Sequence, residues 1–241
     1  MEPFLFLTTA CRELHSRAST LIVRGFTLVE MMVVLGIIVI ITTVALVGQS
    51  SFNQTLILTD TAYSVALSLR EAQSYGLSSK VFAASNFVQN AGYGIRFSGP
   101  SSYTMFVDSY PLEPGSTLGG ICVGHDAAIG RPDARPGNCL YDPQADRDGL
   151  VQNITFTRGF TIGAICGNDG TALKRCYGSD FDNLDIVFQR PNTVSTIIGK
   201  RGSTYLKFTS ASIEILAPGG AAQRCVTISQ AGQITVVPTC P

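Results

Sequence analysis

The sequence lacks tryptophan and has no excess of charge, since its 17 basic residues are matched by 17 acidic ones. A balanced charge excludes a whole-protein field that attracts nucleic acid or an anionic membrane, so any charged partner must be recognised locally. Proline is absent between Pro3 and Pro100, which removes the usual helix breaker from that stretch. With 241 residues, 45% of them hydrophobic, the chain suits one sizeable domain plus an extension.

Catalytic and phosphate-binding signatures are also missing from the sequence. His125 is the only histidine outside the first 25 residues, and it lies in a glycine-rich stretch. No nucleophile motif and no glycine-rich phosphate loop occurs. We therefore expect a protein that is not an enzyme and that has no cofactor and no small-molecule substrate.

One long hydrophobic run is present, from Phe26 to Val47, and Glu30 is its only charged residue. About 20 apolar residues suffice for a helix to cross a bilayer. Three arginines lie shortly before the run, and no Lys or Arg follows it until Arg70. This cationic bias predicts a single membrane span with a cytoplasmic N-terminus and an exported remainder.

An ordinary secretory signal or a plain signal anchor is the alternative interpretation of this run. Glu30 argues against both, because an ionisable group at membrane depth is costly unless it is paired. The carboxylate is therefore a candidate functional group.

The segment from Arg24 to Glu30, RGFTLVE, resembles the prepilin peptidase site of type IV pilins and type II secretion pseudopilins. In that family the peptidase cleaves after the glycine and N-methylates the new phenylalanine amine. The glutamate pairs with the N-terminal amine of a neighbouring subunit. The resemblance implies cleavage between Gly25 and Phe26, N-methylation of Phe26 and an assembly role for Glu30. It also implies other pilin or pseudopilin subunits and prepilin peptidase as partners, and the inner (cytoplasmic) membrane as the location.

Beyond the membrane run, apolar residues recur at helical spacing and predict a face that docks on a sheet. This stripe consists of Leu58, Ala62, Val65, Leu69 and Ala72. Gly76, followed by serines, predicts the helix stop, so the helix covers about Thr27 to Tyr75.

Downstream, the hydrophobic period changes to two, which is typical of strands. Tyr93–Phe97 and Tyr103–Val107 predict a hairpin across a turn-rich link. Further predicted strands are Asn153–Phe160, Leu184–Gln189, Thr204–Thr209, Ser212–Leu216 and Cys225–Val237, the last folded back at Ala231-Gly232. No regular element is predicted between Gly124 and Gly149.

The predicted fold class is α+β, with a long N-terminal helix packed on an antiparallel β-sheet head. This order, and the closing segment VTISQAGQITV, resemble the FimT/GspH group of minor pseudopilins. The expected organisation is a leader peptide (1–25), a transmembrane and assembly helix (26–48), an amphipathic continuation (49–79) and a β-rich exported head (80–241).

Seven cysteines are present, and Cys11 alone precedes the expected cleavage site. Zinc sites usually show CxxC pairs or Cys/His clusters, and neither occurs here, so disulfides are favoured in an exported head. The sequence does not fix their connectivity, but neighbouring pairs are the simplest expectation: Cys122 with Cys139, Cys166 with Cys176, and Cys225 with Cys240.

An acidic segment, YDPQADRDG, offers Asp142, Asp146 and Asp148 as weak calcium candidates. In the helix-loop-helix calcium motif, Gln144 and Thr155 would take the first and twelfth positions, where carboxylates are needed. A solvated acidic loop without metal is therefore preferred.

Two other functions share this topology. The resemblance allows a DNA-binding minor pilin of a competence pilus, since some FimT-like pilins bind DNA through basic residues at the C-terminal end of the head. Here the closing turn reads AGQ instead of the usual Gly-Arg pair, so Lys174, Arg175, Lys200 and Arg201 would have to converge. A single-pass signal-anchored extracellular binding protein is the other alternative, and it does not need Glu30.

Overall fold

The structure is a computed structural model. It describes residues 25–78, 91–110, 118, 121–122, 137–144, 148–171, 173–190 and 194–241. The chain divides into two units, Met1–Gly48 and Gln49–Pro241. The fold is α+β, as predicted: an α-helix, α1, precedes antiparallel strands that form two sheets.

Helix α1 spans Leu28–Leu77. In the first unit, every described side chain from Phe26 to Leu46 is exposed. Leu28–Leu46 has a mean hydropathy of 2.6 and is long and apolar enough to cross a membrane. A helix is suited to that medium because its backbone hydrogen bonds are satisfied within the segment.

The strands of the second unit form two antiparallel sheets. The first sheet has the order β3-β2-β1-β6-β7-β8, and the second has the order β11-β10-β9-β4-β5. The strand bounds are β1 Gly92–Phe97, β2 Ser102–Asp108, β3 Gly149–Thr155, β4 Thr161–Asn168, β5 Lys174–Cys176, β6 Asn183–Phe188, β7 Ser195–Arg201, β8 Thr204–Phe208, β9 Ser210–Leu216, β10 Gln223–Ser229 and β11 Ile234–Val237.

The predicted helical stripe is confirmed in the second unit. Its five members are all fully buried: Leu58, Ala62, Val65, Leu69 and Ala72. They share one hydrophobic core with residues of both sheets, such as Ile95 and Ile213. Full burial of each large apolar side chain contributes about 1.5–3 kcal/mol, so the stripe is a main source of the attachment of α1 to the head.

The prediction that Gly76 stops the helix was wrong, since α1 passes through Gly76 and ends at Leu77. A side chain at Gly76 would overlap the backbone carbonyl of Phe188 in β6. The glycine therefore permits a close approach of helix and strand, which is a tertiary requirement that local sequence does not reveal.

The two predicted hairpins are confirmed. In the first, Tyr93 of β1 pairs with Val107 of β2. In the second, β10 and β11 pair across a turn in which Gly232 has a φ of 81°. The predicted strands that correspond to β6, β8 and β9 are also present. Where the structure describes the stretch between Gly124 and Gly149, at 137–144 and 148, no helix or strand occurs, as expected.

The prediction of a strand at Asn153–Phe160 was wrong in its bounds. The strand β3 runs from Gly149 to Thr155. A turn at Arg158, which has a φ of 58°, follows it, and the chain then enters β4.

Strands β4, β5 and β7 were not predicted, and in two of them a glycine lowers the strand signal. The ring of Phe208 occupies the place where a side chain on Gly167 of β4 would lie, and it is 2.8 Å from the Cβ position of Gly199 in β7. Phe208 therefore packs on one strand of each sheet. The glycines make room for an aromatic side chain that is remote in sequence.

Candidate functional site

The residues of the cleavage motif lie at the beginning of α1. Gly25 and Phe26 precede the helix and are exposed, and a side chain on Gly25 would meet no other atom within 4 Å. Thr27 caps the helix, because its Oγ1 accepts a hydrogen bond from the backbone N–H of Glu30 at 3.2 Å. The Gly25–Phe26 peptide bond therefore lies outside the first helical turn, and no described side chain covers it.

Glu30 is the acidic residue of the first turn of α1. With Thr27 it forms the T-x-x-E pattern of a capping box, and its negative charge lies at the positive end of the helix dipole. Among the residues that the structure describes, no side chain forms an ion pair with it. The carboxylate is thus presented on the exposed surface of an apolar helix, where a cation from another molecule can reach it.

The six cysteines after the expected leader form three disulfides, and these join the neighbouring pairs that were expected. The bonds are Cys122–Cys139, Cys166–Cys176 and Cys225–Cys240. Both cysteines of the first bridge join a small hydrophobic cluster that includes Ile198 of the first sheet. The second joins β4 to β5, and the third joins β10 to Cys240, which follows β11. Cys11 lies outside the described residues.

The acidic segment uses its carboxylates to organise the loop. Asp148 accepts hydrogen bonds from the backbone N–H groups of Ser109, Tyr110 and Asp142 at 2.7–2.9 Å. Burial raises the pKa of Asp148 to about 6. Asp146 and His125 lie outside the described residues, and the described ones contain no group of three potential metal-ligating side chains. The weak calcium proposal therefore gains no support from Asp148, whose oxygens face backbone donors.

Sequence reasoning missed a buried polar cluster on the outer face of the first sheet. Asp108 is fully buried and accepts hydrogen bonds from the backbone N–H groups of Asn138 and Cys139, each at 2.9 Å. Burial raises the pKa of the Asp108 carboxyl well above its ordinary value.

A second part of this cluster is the ion pair of Arg96 and Asp185. The guanidinium donates two hydrogen bonds to the carboxylate, at 2.7 and 2.6 Å, and Asp185 is fully buried. No role was predicted for Arg96 or Asp185. The available signal was that each is a charged residue with mostly apolar neighbours in its strand, which is costly for unpaired charges.

Of the four basic residues considered for DNA binding, Arg175 and Arg201 converge on one turn. Arg175 pairs with Asp180 at 3.2 Å, and a nitrogen of Arg201 lies 3.8 Å from a carboxylate oxygen of Asp182. Lys174 donates to a backbone oxygen, and Lys200 lies over the ring of Tyr205. Because both arginines face carboxylates, this surface is a poor match for a phosphate backbone.

Residues 22–46 match the family model of the prokaryotic N-terminal methylation motif. No curated protein and no solved structure matches the chain. The matched residues include the expected cleavage site, the capped start of α1 and nearly all of its membrane-length apolar segment. The chain carries the N-terminal methylation signature of type IV pilins and pseudopilins, which points to a membrane-anchored structural subunit of the prepilin-processed type.

Proposed function

We propose that the protein is a minor pseudopilin, a structural subunit of a type II secretion or type IV pilus-like filament. The observation that carries this proposal is the position of Glu30, an exposed carboxylate in the first turn of an apolar, membrane-length helix that bears the methylation motif. In this proposal the span lies in the inner membrane with the precursor's N-terminus in the cytoplasm. The head is then periplasmic or extracellular.

Processing creates the partner that Glu30 needs. Hydrolysis of the Gly25–Phe26 bond leaves a carboxylate on Gly25 and a free amine on Phe26, which then accepts a methyl group from a methyl donor. The amine stays cationic after monomethylation. An amine of one subunit facing Glu30 of the next compensates a charge that is otherwise costly in an apolar medium. This pairing favours side-by-side packing of helices with a fixed stagger.

The processing step is tested by mass spectrometry of the membrane-extracted protein. Cells that contain prepilin peptidase should yield a chain that begins at methylated Phe26, and cells without the peptidase should yield the intact precursor. Gly25→Val should retain the leader, because the peptidase requires a small residue before the cut. Gly36→Val is the matched control in the same helix, since a side chain there meets no atom within 4 Å. An intact leader in peptidase-positive cells contradicts the proposal.

The assembly step is tested with Glu30→Ala. This variant should insert into the membrane and be processed, but it should no longer cross-link to other pilin or pseudopilin subunits. Asp60→Ala removes an exposed carboxylate from the same helix outside the motif and should assemble normally. If Glu30→Ala assembled as well as the native chain, the single-pass anchor with an extracellular binding domain would be the better interpretation.

A further inference from the structure

A groove of about 510 Å³ lies on the outer face of the second sheet. Its floor consists of side chains of β9 and β10 that alternate with core residues. Thus Ser212 and Thr227 line the groove, whereas their neighbours Ile213 and Val226 lie in the core shared with α1. The volume is within the range of about 300–1,000 Å³ that is typical of small-ligand sites.

The lining of the groove is dense in hydroxyl groups. Five short side chains supply them: Ser210, Ser212, Thr227, Ser229 and Thr235. The amide side chains of Asn168 and Gln233 also line the groove. Four of the hydroxyls also make hydrogen bonds within the protein: Thr227 with Thr235 at 2.6 Å, Ser212 to the carbonyl of Cys166 at 3.5 Å, and Ser229 from the backbone N–H of Gln233 at 3.3 Å. Because a hydroxyl has one donor and two acceptor positions, each keeps capacity for a further hydrogen bond to a ligand. None of these side chains is long enough to fill the space that they border.

Covalent and polar links hold the walls of the groove. The Cys166–Cys176 disulfide joins β4 to β5 on one side, and the Cys225–Cys240 disulfide fixes the segment that contains Pro241. The Nζ of Lys174 donates a hydrogen bond to the backbone oxygen of Pro241, which joins the two walls. A groove with fixed walls is formed before binding, and preorganisation reduces the entropy cost of binding.

The chemistry of the lining excludes several ligand classes. Lys174 supplies the only charged side chain among the described residues that line the groove, so a polyanion such as nucleic acid would find too few cations. An extended peptide that adds to a sheet needs a free strand edge. Strands β9 and β10 are paired on both sides, so their backbone groups already belong to the ladder.

We propose that this groove binds an uncharged oligosaccharide. A sugar offers many hydroxyl groups and no charge, which matches a neutral lining rich in hydroxyls and amides. None of the described residues that line the groove is aromatic, so they offer no ring for stacking. Affinity for a single groove is therefore weak, with a dissociation constant on the order of 1 mM. This inference does not depend on the proposed filament function.

The test uses the full chain in a zwitterionic detergent, since a maltoside would compete for the groove. The protein is applied to an array of neutral and acidic glycans, and hits are titrated as free oligosaccharides by saturation-transfer NMR. We expect binding to neutral glycans with millimolar dissociation constants. A parallel array of extended peptides examines the protein-partner alternative.

Two variants assign the binding to the groove. Thr227→Tyr places a ring in the hollow and should weaken binding at least tenfold, and Thr235→Val removes one hydroxyl at nearly constant volume and should weaken it about fivefold. Thr204→Tyr is the matched control, because Thr204 is exposed in β8 and does not line the groove. Thermal unfolding of each variant separates lost binding from lost structure.

Three outcomes overturn the proposal. The first is the absence of binding to every neutral glycan on the array. The second is unchanged glycan binding by a correctly folded Thr227→Tyr variant. The third is selective binding of peptides that Thr227→Tyr abolishes, which would assign this face to a protein partner.

Discussion

The first stretch of α1, Leu28–Leu46, and its second stretch, Gln49–Leu77, differ in how their side chains are buried. From Phe26 to Leu46 every described side chain is exposed, and the apolar residues show no preferred face. In the second stretch Leu69 is fully buried, whereas Leu67, two positions earlier, is 65% exposed. A helix surrounded by one apolar medium can be apolar on every face, but a helix between a core and water needs its apolar residues on one face. The second stretch should therefore depend on the head, and the first should not.

Reduction of the disulfides should have the largest effect, and it should affect the second stretch of α1 but not the first. Reduction should destabilise the head by about 2–4 kcal/mol for each bridge, because it releases the unfolded chain from a constraint. Hydrogen exchange should then accelerate in the second stretch of α1 and in the strands, while amides of Leu28–Leu46 in a membrane mimic stay protected.

The same sample tests the cysteine count. Under denaturing, non-reducing conditions the processed chain should take up no alkyl groups, and after reduction it should take up six. Three or more reactive thiols in the unreduced chain would contradict both the bridges and the export of the head.

Leu69→Ala should give the next largest effect. It leaves a cavity in the core and should lower the free energy of unfolding of the head by about 2–5 kcal/mol in urea denaturation. Leu67→Ala is the matched control on the exposed face and should change it by less than about 0.5 kcal/mol. Similar losses in the two variants would show that the exposed face of the second stretch is covered by another part of the chain.

A pH effect confined to the head should be smaller. Asp148 has a raised pKa of about 6 in the folded state, so between pH 4 and 6 the folded head holds a proton that the unfolded chain has released. The free energy of unfolding should therefore fall as pH rises through this window, by at most about 3 kcal/mol, and level off above it. Burial of Asp108 acts in the same direction.

Asp148→Asn tests this effect. It should reduce the slope between pH 4 and 6 in urea denaturation without abolishing it, because Asp108 still contributes, and its loss of backbone hydrogen bonds lowers stability overall. Asp169→Asn, at an exposed loop position, should leave the slope in this window unchanged. An unchanged slope in Asp148→Asn would assign the pH dependence to other carboxylates, with Asp108 the first to test.

The smallest effect concerns only the first stretch. Thr27→Val removes the side-chain acceptor at the start of α1 and should cost about 1 kcal/mol, whereas Thr27→Ser should cost much less. Exchange of the Glu30 amide should be several-fold faster in Thr27→Val, while unfolding of the head stays unchanged. A change in head stability would mean that the two stretches are coupled.

Local periodicity predicted the parts of the fold that depend on neighbouring residues. The helical stripe through Leu69 and the hairpin at Gly232 follow from spacing and turn chemistry that a single segment contains. The strands β4 and β7 were missed because Gly167 and Gly199 weaken their strand patterns. The reason for both glycines is the ring of Phe208, which belongs to a different strand and fills the space beside them. Such contacts are set by tertiary packing and leave no local signal.

The candidate sites show the same division. Gly25, Phe26 and Glu30 could be proposed from the sequence because the methylation motif that contains them is a short linear segment. The pairing of Arg96 with Asp185 was not predicted, since the two residues are 89 positions apart in the sequence. Likewise, the groove on the outer face of the second sheet is lined by residues from separate strands. Single serines and threonines are too common in the sequence to predict such a groove.

The turn of the closing hairpin is bonded directly to α1. Gln73 of the helix donates to the carbonyl of Gly232, and Arg70 donates to that of Ile234. A subunit pulled by its helix would therefore transmit tension into β11 through these two contacts as well as through the core. The Cys225–Cys240 bridge then carries the load covalently from the end of that hairpin back to β10, so the last strand cannot peel away from the sheet. In mechanical terms, the head is clamped at the point where the helix would pull on it.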